Sequence, residues 1–254
     1  MLIEPGVPDD TCEYCRTGRY NICPGVDFMA TQPNYKGALT QYMTHPEEWT
    51  YHIPEGMTTM EGALVEPAAV GMHAAVLGGA QPGKSIVILG GGTIGLMVLQ
   101  ACISLGATDI TVVDVIEKRL ELAKKLGAAR VINGKEEDTV AVLRSEEMYG
   151  DHGVDLVFEA AGAVFTAQQA VQIVSRGGKI MMVGTQSKPV PIDFLKINRE
   201  VTIQTSFRYC NNYPQTIEAI RSGKFNVKDM VTHVYDYKDV QQVIHGCNRS
   251  RKEN

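Results

Sequence analysis

The stretch 85-SIVILGGGTIGLMVLQACISLGATDITVVD-114 decides the fold. It opens on the apolar run Ile86-Val87-Ile88-Leu89, a length that suits a strand buried in a parallel sheet. Gly90, Gly92 and Gly95 follow as G-x-G-x-x-G, and then the helical pattern Ile94, Met97, Val98, Ala101. A second β-type run, Ile110 to Val113, ends on Asp114, about 20 residues beyond the last glycine. A bare glycine motif is weak evidence. Between a strand and a helix, with an acid at that spacing, it reads as a dinucleotide-binding unit. Gly90 permits the tight turn, Gly92 lets the backbone approach a pyrophosphate, and Gly95 lets the helix pack on the strand. The helix that starts at Thr93 and Ile94 turns unpaired N–H groups and the positive end of its dipole to the phosphates. Asp114 is expected to accept hydrogen bonds from a ribose 2′- and 3′-hydroxyl. Against a 2′-phosphate it would cost roughly 1 to 4 kcal/mol per charge pair, enough to choose NAD over NADP. The alternative is a glycine turn that binds nothing.

Composition excludes several classes. The chain has 254 residues, with 24 Lys and Arg against 29 Asp and Glu and a net charge of −5. No basic cluster suggests nucleic acid, and no apolar run approaches the roughly 18 to 20 residues of a membrane span. The opening MLIEPGVPDD lacks the basic start and apolar core of a signal peptide. Six cysteines without such a signal suit a reducing compartment, so a cytoplasmic location is expected.

Residues 1–65 are rich in Pro, Gly and turn dipeptides, with short β-like pieces such as Leu39 to Met43; an irregular or β-rich unit is expected. Cys12, Cys15 and Cys23 are spaced C-x2-C-x7-C, and Asp9 stands three before Cys12. Two cysteines two apart can grip a metal from a tight loop, a third can close the site, and a carboxylate can complete a tetrahedral zinc. Three free thiols in a loop are the alternative. Residues 56–78 read as a helix, with Thr58 or Thr59 as N-cap and Glu61 in the first turn. Glu66 lies there between apolar neighbours, where a carboxylate is costly unless paired or metal-bound; an exposed glutamate at a helix break is the other reading. His73 is expected to be a packed or hydrogen-bonded helix histidine, and Cys102, Cys210 and Cys247 to be packed thiols.

After Asp114 a helix runs from Arg119 to Gly127, with Arg119 either near the adenosine ribose or solvated. Strands are expected at Val131-Ile132, Val154 to Phe158, Lys179 to Val183 and Val201 to Thr205. Helices are expected at 136–149, 163–175 and 213–221. This alternation predicts an α/β doubly wound parallel Rossmann sheet, with ligand-facing loops around Gly162 and Gly184. Arg208 and Tyr209 leave the carboxyl end of the last strand, placed for a substrate cleft or simply exposed.

Five strings together carry a resemblance: EPG at 4–6, CEYCRTGRYNICP at 12–24, EGALVEPAAVGMHAA at 61–75, LGGGTIG at 89–95 and FRYCNNYP at 207–214. The chain resembles the medium-chain zinc-containing alcohol dehydrogenases, and within them the polyol (sorbitol, xylitol, L-iditol) branch. The resemblance implies a partial β-rich, GroES-like catalytic domain with a structural-zinc lobe over 1–65. It implies an NAD-binding Rossmann domain over 66–206, and the end of that domain with a return toward the catalytic one over 207–254. It implies zinc-assisted hydride transfer between a polyol or secondary alcohol and NAD, in a homo-oligomer. Glu66 matches the acidic residue at the catalytic zinc, Arg208 and Tyr209 match the pair on polyol hydroxyls, and Gly184 and Phe207 match cofactor contacts. Asp9, Cys12, Cys15 and Cys23 occupy the structural-zinc positions, the first of which is normally Cys. The family's catalytic-zinc Cys and its His-Glu pair precede the EPG motif. The chain is therefore expected to be N-terminally truncated, with an incomplete catalytic zinc site; an NAD-binding unit without hydride transfer is the competing reading.

Overall fold

The computed structural model describes residues 1–31 and 37–244; Cys247 lies outside them. The front of the chain is held by short pairings. Strands β1 (Leu2–Ile3) and β4 (Thr50–Tyr51) are antiparallel, as are β2 (Gly6–Val7) and β3 (Asp27–Phe28). One helical turn, α1 (Glu13–Arg16), lies between β2 and β3. The β-like piece at 39–43 forms no strand: Leu39 and Tyr42 are 64% and 90% exposed, so its alternation has no face to bury.

The expected helix over 56–78 is two helices, α2 (Thr59–Ala63) and α3 (Val65–Gly78). Pro67 explains the break. Its ring would clash with the Ala63 carbonyl four residues back, and its missing N–H is tolerated only in a first turn. Thr58 caps α2 in a reciprocal box, accepting from the Glu61 N–H at 3.2 Å while Glu61 accepts from the Thr58 N–H at 2.8 Å. Helix α3 ends on Gly79 with φ 75°.

The rest is layered around one parallel sheet. In chain order come β5 (Ser85–Leu89), α4 (Thr93–Ser104), β6 (Asp109–Asp114), α5 (Glu117–Lys125), β7 (Arg130–Asn133), α6 (Thr139–Leu143), β8 (Val154–Glu159), α7 (Val164–Ile173), β9 (Val174–Met182), β10 (Thr202–Thr205) and α8 (Tyr213–Arg221). The six strands lie in the order β10-β9-β8-β5-β6-β7, every pair parallel, so the chain reverses direction across the sheet between β5 and β8. Ile86 to Leu89 of β5 are wholly buried, as the apolar run requires. Helix α3 packs on α4 with backbones in near contact, since a Cβ on Gly71 would stand 2.5 Å from the Met97 carbonyl carbon. Helix α8 also packs on α3. Among the described residues no helix is long and apolar enough to cross a membrane.

Two elements differ from expectation. The helix over 136–149 shortens to α6, capped by Asp138; beyond it the chain turns so that the Tyr149 hydroxyl meets Arg130 Nη2 at 2.8 Å. Strand β9 starts at Val174 rather than Lys179, because Val174 already pairs with Val154 ahead of a bulge.

Candidate functional site

The carboxyl ends of β5, β6, β8 and β9 lie along one edge of the parallel sheet. At its centre each glycine of the loop has its own reason. Gly90 has φ 106°, and a Cβ there would stand 2.8 Å from the Ala161 nitrogen. A Cβ on Gly95 would collide with the Gly90 carbonyl, while one on Gly92 would meet nothing within 4 Å. Gly92 is thus the glycine whose missing side chain leaves space in front of the loop. As N-cap of α4 it supplies no side-chain acceptor, so the first N–H groups of the helix face that space unpaired.

Asp114 does more than its spacing suggested. It is 7% exposed, and its Oδ2 accepts from the Gly91 N–H at 2.7 Å. Its Oδ1 accepts from the Val115 and Ile116 N–H groups at 2.7 and 2.9 Å, and Arg119 Nη1 lies 3.4 Å from Oδ2. The carboxylate therefore ties the glycine loop to the end of β6. On the other side of β5, the loops holding Gly162 and Gly184 touch: a Cβ on Gly184 would collide with the Gly162 nitrogen.

A second cluster gathers side chains from α3 and the 207–213 loop. Burial raises the pKa of Glu66, partly offset by the Tyr209 hydroxyl and the Arg208 charge. Arg208 sits in the left-handed region with φ 53°, a strained conformation for a non-glycine residue. Its guanidinium lies over the rings of Phe28 and Phe207, 3.9 and 4.8 Å from their centroids. Arg208 Nη1 and the Tyr209 hydroxyl are both buried without a well-formed hydrogen bond. Phe207 is half exposed. His73 is buried, its Nδ1 3.0 Å from Asn212 Oδ1, the packed helix histidine that was expected.

The sequence reading missed what holds this cluster. Glu4, 1% exposed, accepts from the Tyr20 hydroxyl at 2.6 Å and the Tyr51 hydroxyl at 3.0 Å. Tyr20 in turn accepts from the Asn211 N–H at 2.8 Å. The available signal was the one used for Glu66, a carboxylate before proline in an apolar run.

The third cluster brings Asp9, Cys12, Cys15 and Cys23 together, one potential ligand atom from each lying within 4.8 Å of the others. The Cys12 and Cys15 sulfurs are 3.4 Å apart, and Asp9 Oδ1 accepts from the Thr11 and Cys12 N–H groups at 2.8 and 2.9 Å. Those two bonds lower the Asp9 pKa to about 2, so it is an anion at neutral pH. The Cys15 thiol is pushed up to about 12, first by desolvation and then by its cysteine neighbours. Three sulfurs and a carboxylate at this separation fit a tetrahedral zinc. Among the described residues no comparable cluster of His, Cys, Asp or Glu forms around Glu66.

Comparison with known proteins agrees with this geometry. Residues 93–222 match the family model described as zinc-binding dehydrogenase, and residues 2–55 match the alcohol dehydrogenase GroES-like domain. The chain is 63% identical over 251 residues to the uncharacterized zinc-type alcohol dehydrogenase-like protein YdjJ of Escherichia coli K12, covering 99% of this chain and 72% of that protein. It is 39% identical over 256 residues to sorbitol dehydrogenase of Bacillus subtilis, covering 100% of this chain and 71% of that protein. The crystal structure of ECK1772, an Escherichia coli oxidoreductase/dehydrogenase of unknown specificity, superposes with a TM-score of 0.95 at 63% identity, covering 98% of this chain and 71% of that one.

Proposed function

We propose that this chain, which belongs to the zinc-binding dehydrogenase family, serves NAD-linked oxidoreduction of polyols. The observation that carries the reading is the pair of buried donors beside Glu66, Arg208 Nη1 and the Tyr209 hydroxyl, neither of which makes a well-formed hydrogen bond. Unpaired buried polar groups are costly, and a ligand carrying several hydroxyls would satisfy both. A polyol brings several oxygens to these donors, a monohydric alcohol only one.

The chain's own residues divide the work. The open face of the glycine loop and the N-terminus of α4 receive the pyrophosphate; Gly90, Gly92, Thr93, Ile94 and Gly95 line that approach. Asp114, with Arg119 beside it, takes the adenine-side ribose, and its negative charge disfavours a 2′-phosphate. Gly184 and Phe207 lie toward the other half of the cofactor. Arg208 and Tyr209 orient the polyol chain, held in place by the loop's contacts with Tyr20 and Phe28. When bound, the nicotinamide supplies the hydride acceptor. The described residues do not by themselves fit a catalytic zinc at Glu66, and no step is assigned to one. Asp9, Cys12, Cys15 and Cys23 would hold a structural zinc, which would cross-link the lobe that carries Tyr20.

We assign residues 1–65 to the GroES-like part, 66–206 to the NAD-binding domain and 207–254 to its end and the return. The cysteine usage favours the cytoplasm, and β10, one of the two edge strands of the sheet, is the one we assign to pairing between copies. Nicotinamide reduction, measured with sorbitol, xylitol and propan-2-ol in the presence of zinc and NAD, tests the reading. Arg208→Ala should raise KM for the polyols about tenfold and leave propan-2-ol within about twofold. NAD binding without turnover of any alcohol would instead make the chain a nucleotide-binding unit.

A further inference from the structure

The sheet order fixes where the two halves of a dinucleotide lie. With the pyrophosphate at the β5 loop and the adenine-side ribose at Asp114 on β6, the nicotinamide half runs across the ends of β8 and β9. The loops after those two strands meet on one side chain. Glu159, the last residue of β8, is fully buried and forms no ion pair among the described residues. Four donors surround its carboxylate instead. Oε1 accepts from the Ala161 and Gly162 N–H groups at 3.1 and 2.9 Å and from the Thr166 hydroxyl at 2.7 Å. Oε2 accepts from Gln186 Nε2 at 2.6 Å. Its main-chain carbonyl accepts from the Val183 and Gly184 N–H groups, each at 2.8 Å.

One residue thus binds the segment leading into α7 and the segment leaving β9. The Gln186 side chain depends on that bond, since its amide oxygen is buried without a partner. A carboxylate suits this position. Both of its oxygens accept, whereas a glutamine would turn an N–H2 toward the three donors, or toward Gln186, whose amide must then flip to accept it. A buried carboxyl is tolerated only when its oxygens are hydrogen-bonded, as both are here, and the two loops it joins border the cofactor edge.

We propose that Glu159 is a positioning residue for the nicotinamide half of the cofactor. It touches no substrate; it sets the spacing of loops 160–163 and 184–186, the surface on which the nicotinamide ring rests. This rests on the NAD reading above.

Calorimetry with NAD and with ADP-ribose, which lacks the nicotinamide ring, tests it on the whole chain. Glu159→Gln should weaken NAD about tenfold and ADP-ribose less than about twofold. Gln186→Leu leaves three of the four donors in place and serves if the first variant does not fold; it should weaken NAD about threefold, with ADP-ribose unchanged. Equal losses for both ligands, or no loss for either, would overturn the positioning role alone. Failure of the unsubstituted chain to bind NAD would overturn the cofactor reading and this inference with it.

Discussion

Asp9 shows two functions on one side chain. Its Oδ1 closes a turn by accepting from the Thr11 and Cys12 N–H groups, and its charge faces three thiols. Asp9→Asn keeps the turn acceptor and removes the charge, so the two functions separate. Zinc affinity, measured by competition with a chromophoric chelator, should fall about tenfold while thermal stability of the metal-free chain changes little. Zinc should also bind more tightly as pH rises from about 6 to 8, because Cys15, raised to about 12, must release its proton to ligate. An affinity independent of pH would mean that no thiol of the cluster releases a proton to the metal.

Helix α2 is only Thr59–Ala63, too short to persist on its own propensity. Its capping box and the 3.2 Å ion pair between Glu61 and Lys228 hold it. Thr58→Ala should cost about 1 kcal/mol in denaturant unfolding, most of it from the lost cap. Lys228→Ala should cost less than about 0.5 kcal/mol, since that lysine is mostly exposed. At the start of α4 the constraint is steric. Gly95→Ala drives a methyl into the Gly90 carbonyl, so the helix must move off β5, and NAD affinity should drop by more than about tenfold. An alanine variant with unchanged NAD affinity would show that the loop does not carry the pyrophosphate.

Across the whole molecule, buried acids tie stability to pH. Glu66 and Glu4 both have pKa values raised, chiefly by burial. The folded state therefore holds protons that the unfolded state has released, so their contribution is present below the ordinary carboxylate range and is lost as pH rises through the folded pKa. Buried His73, shifted down, acts in the opposite sense below its ordinary value. The prediction thus concerns a difference: as pH rises from the ordinary carboxylate range through the raised pKa of Glu66, Glu66→Gln should gain stability relative to the unsubstituted chain. Parallel curves for the two proteins would place the Glu66 carboxylate in water in the folded state.

The dinucleotide unit was readable because its signals are local: an apolar run, glycines at fixed offsets and an acid at the end of the next strand all act within about 30 residues. The alternation that predicts the parallel sheet is local in the same way, and so is the capping box at Thr58. The piece at 39–43 found no neighbouring surface to bury it, and the helix over 136–149 stops early because the chain turns to bring Tyr149 to Arg130. What tertiary packing decided lies between distant segments. Tyr20 reaches the Asn211 N–H across 191 positions, and Gln186 comes back to Glu159. Asp114 turns back to the Gly91 N–H. A hydrogen bond depends on atoms meeting within about 3 Å, and spacing along a chain does not encode that meeting once several strands intervene. Residue order therefore named the ligand-binding unit, and packing chose the side chains that hold its two halves in place.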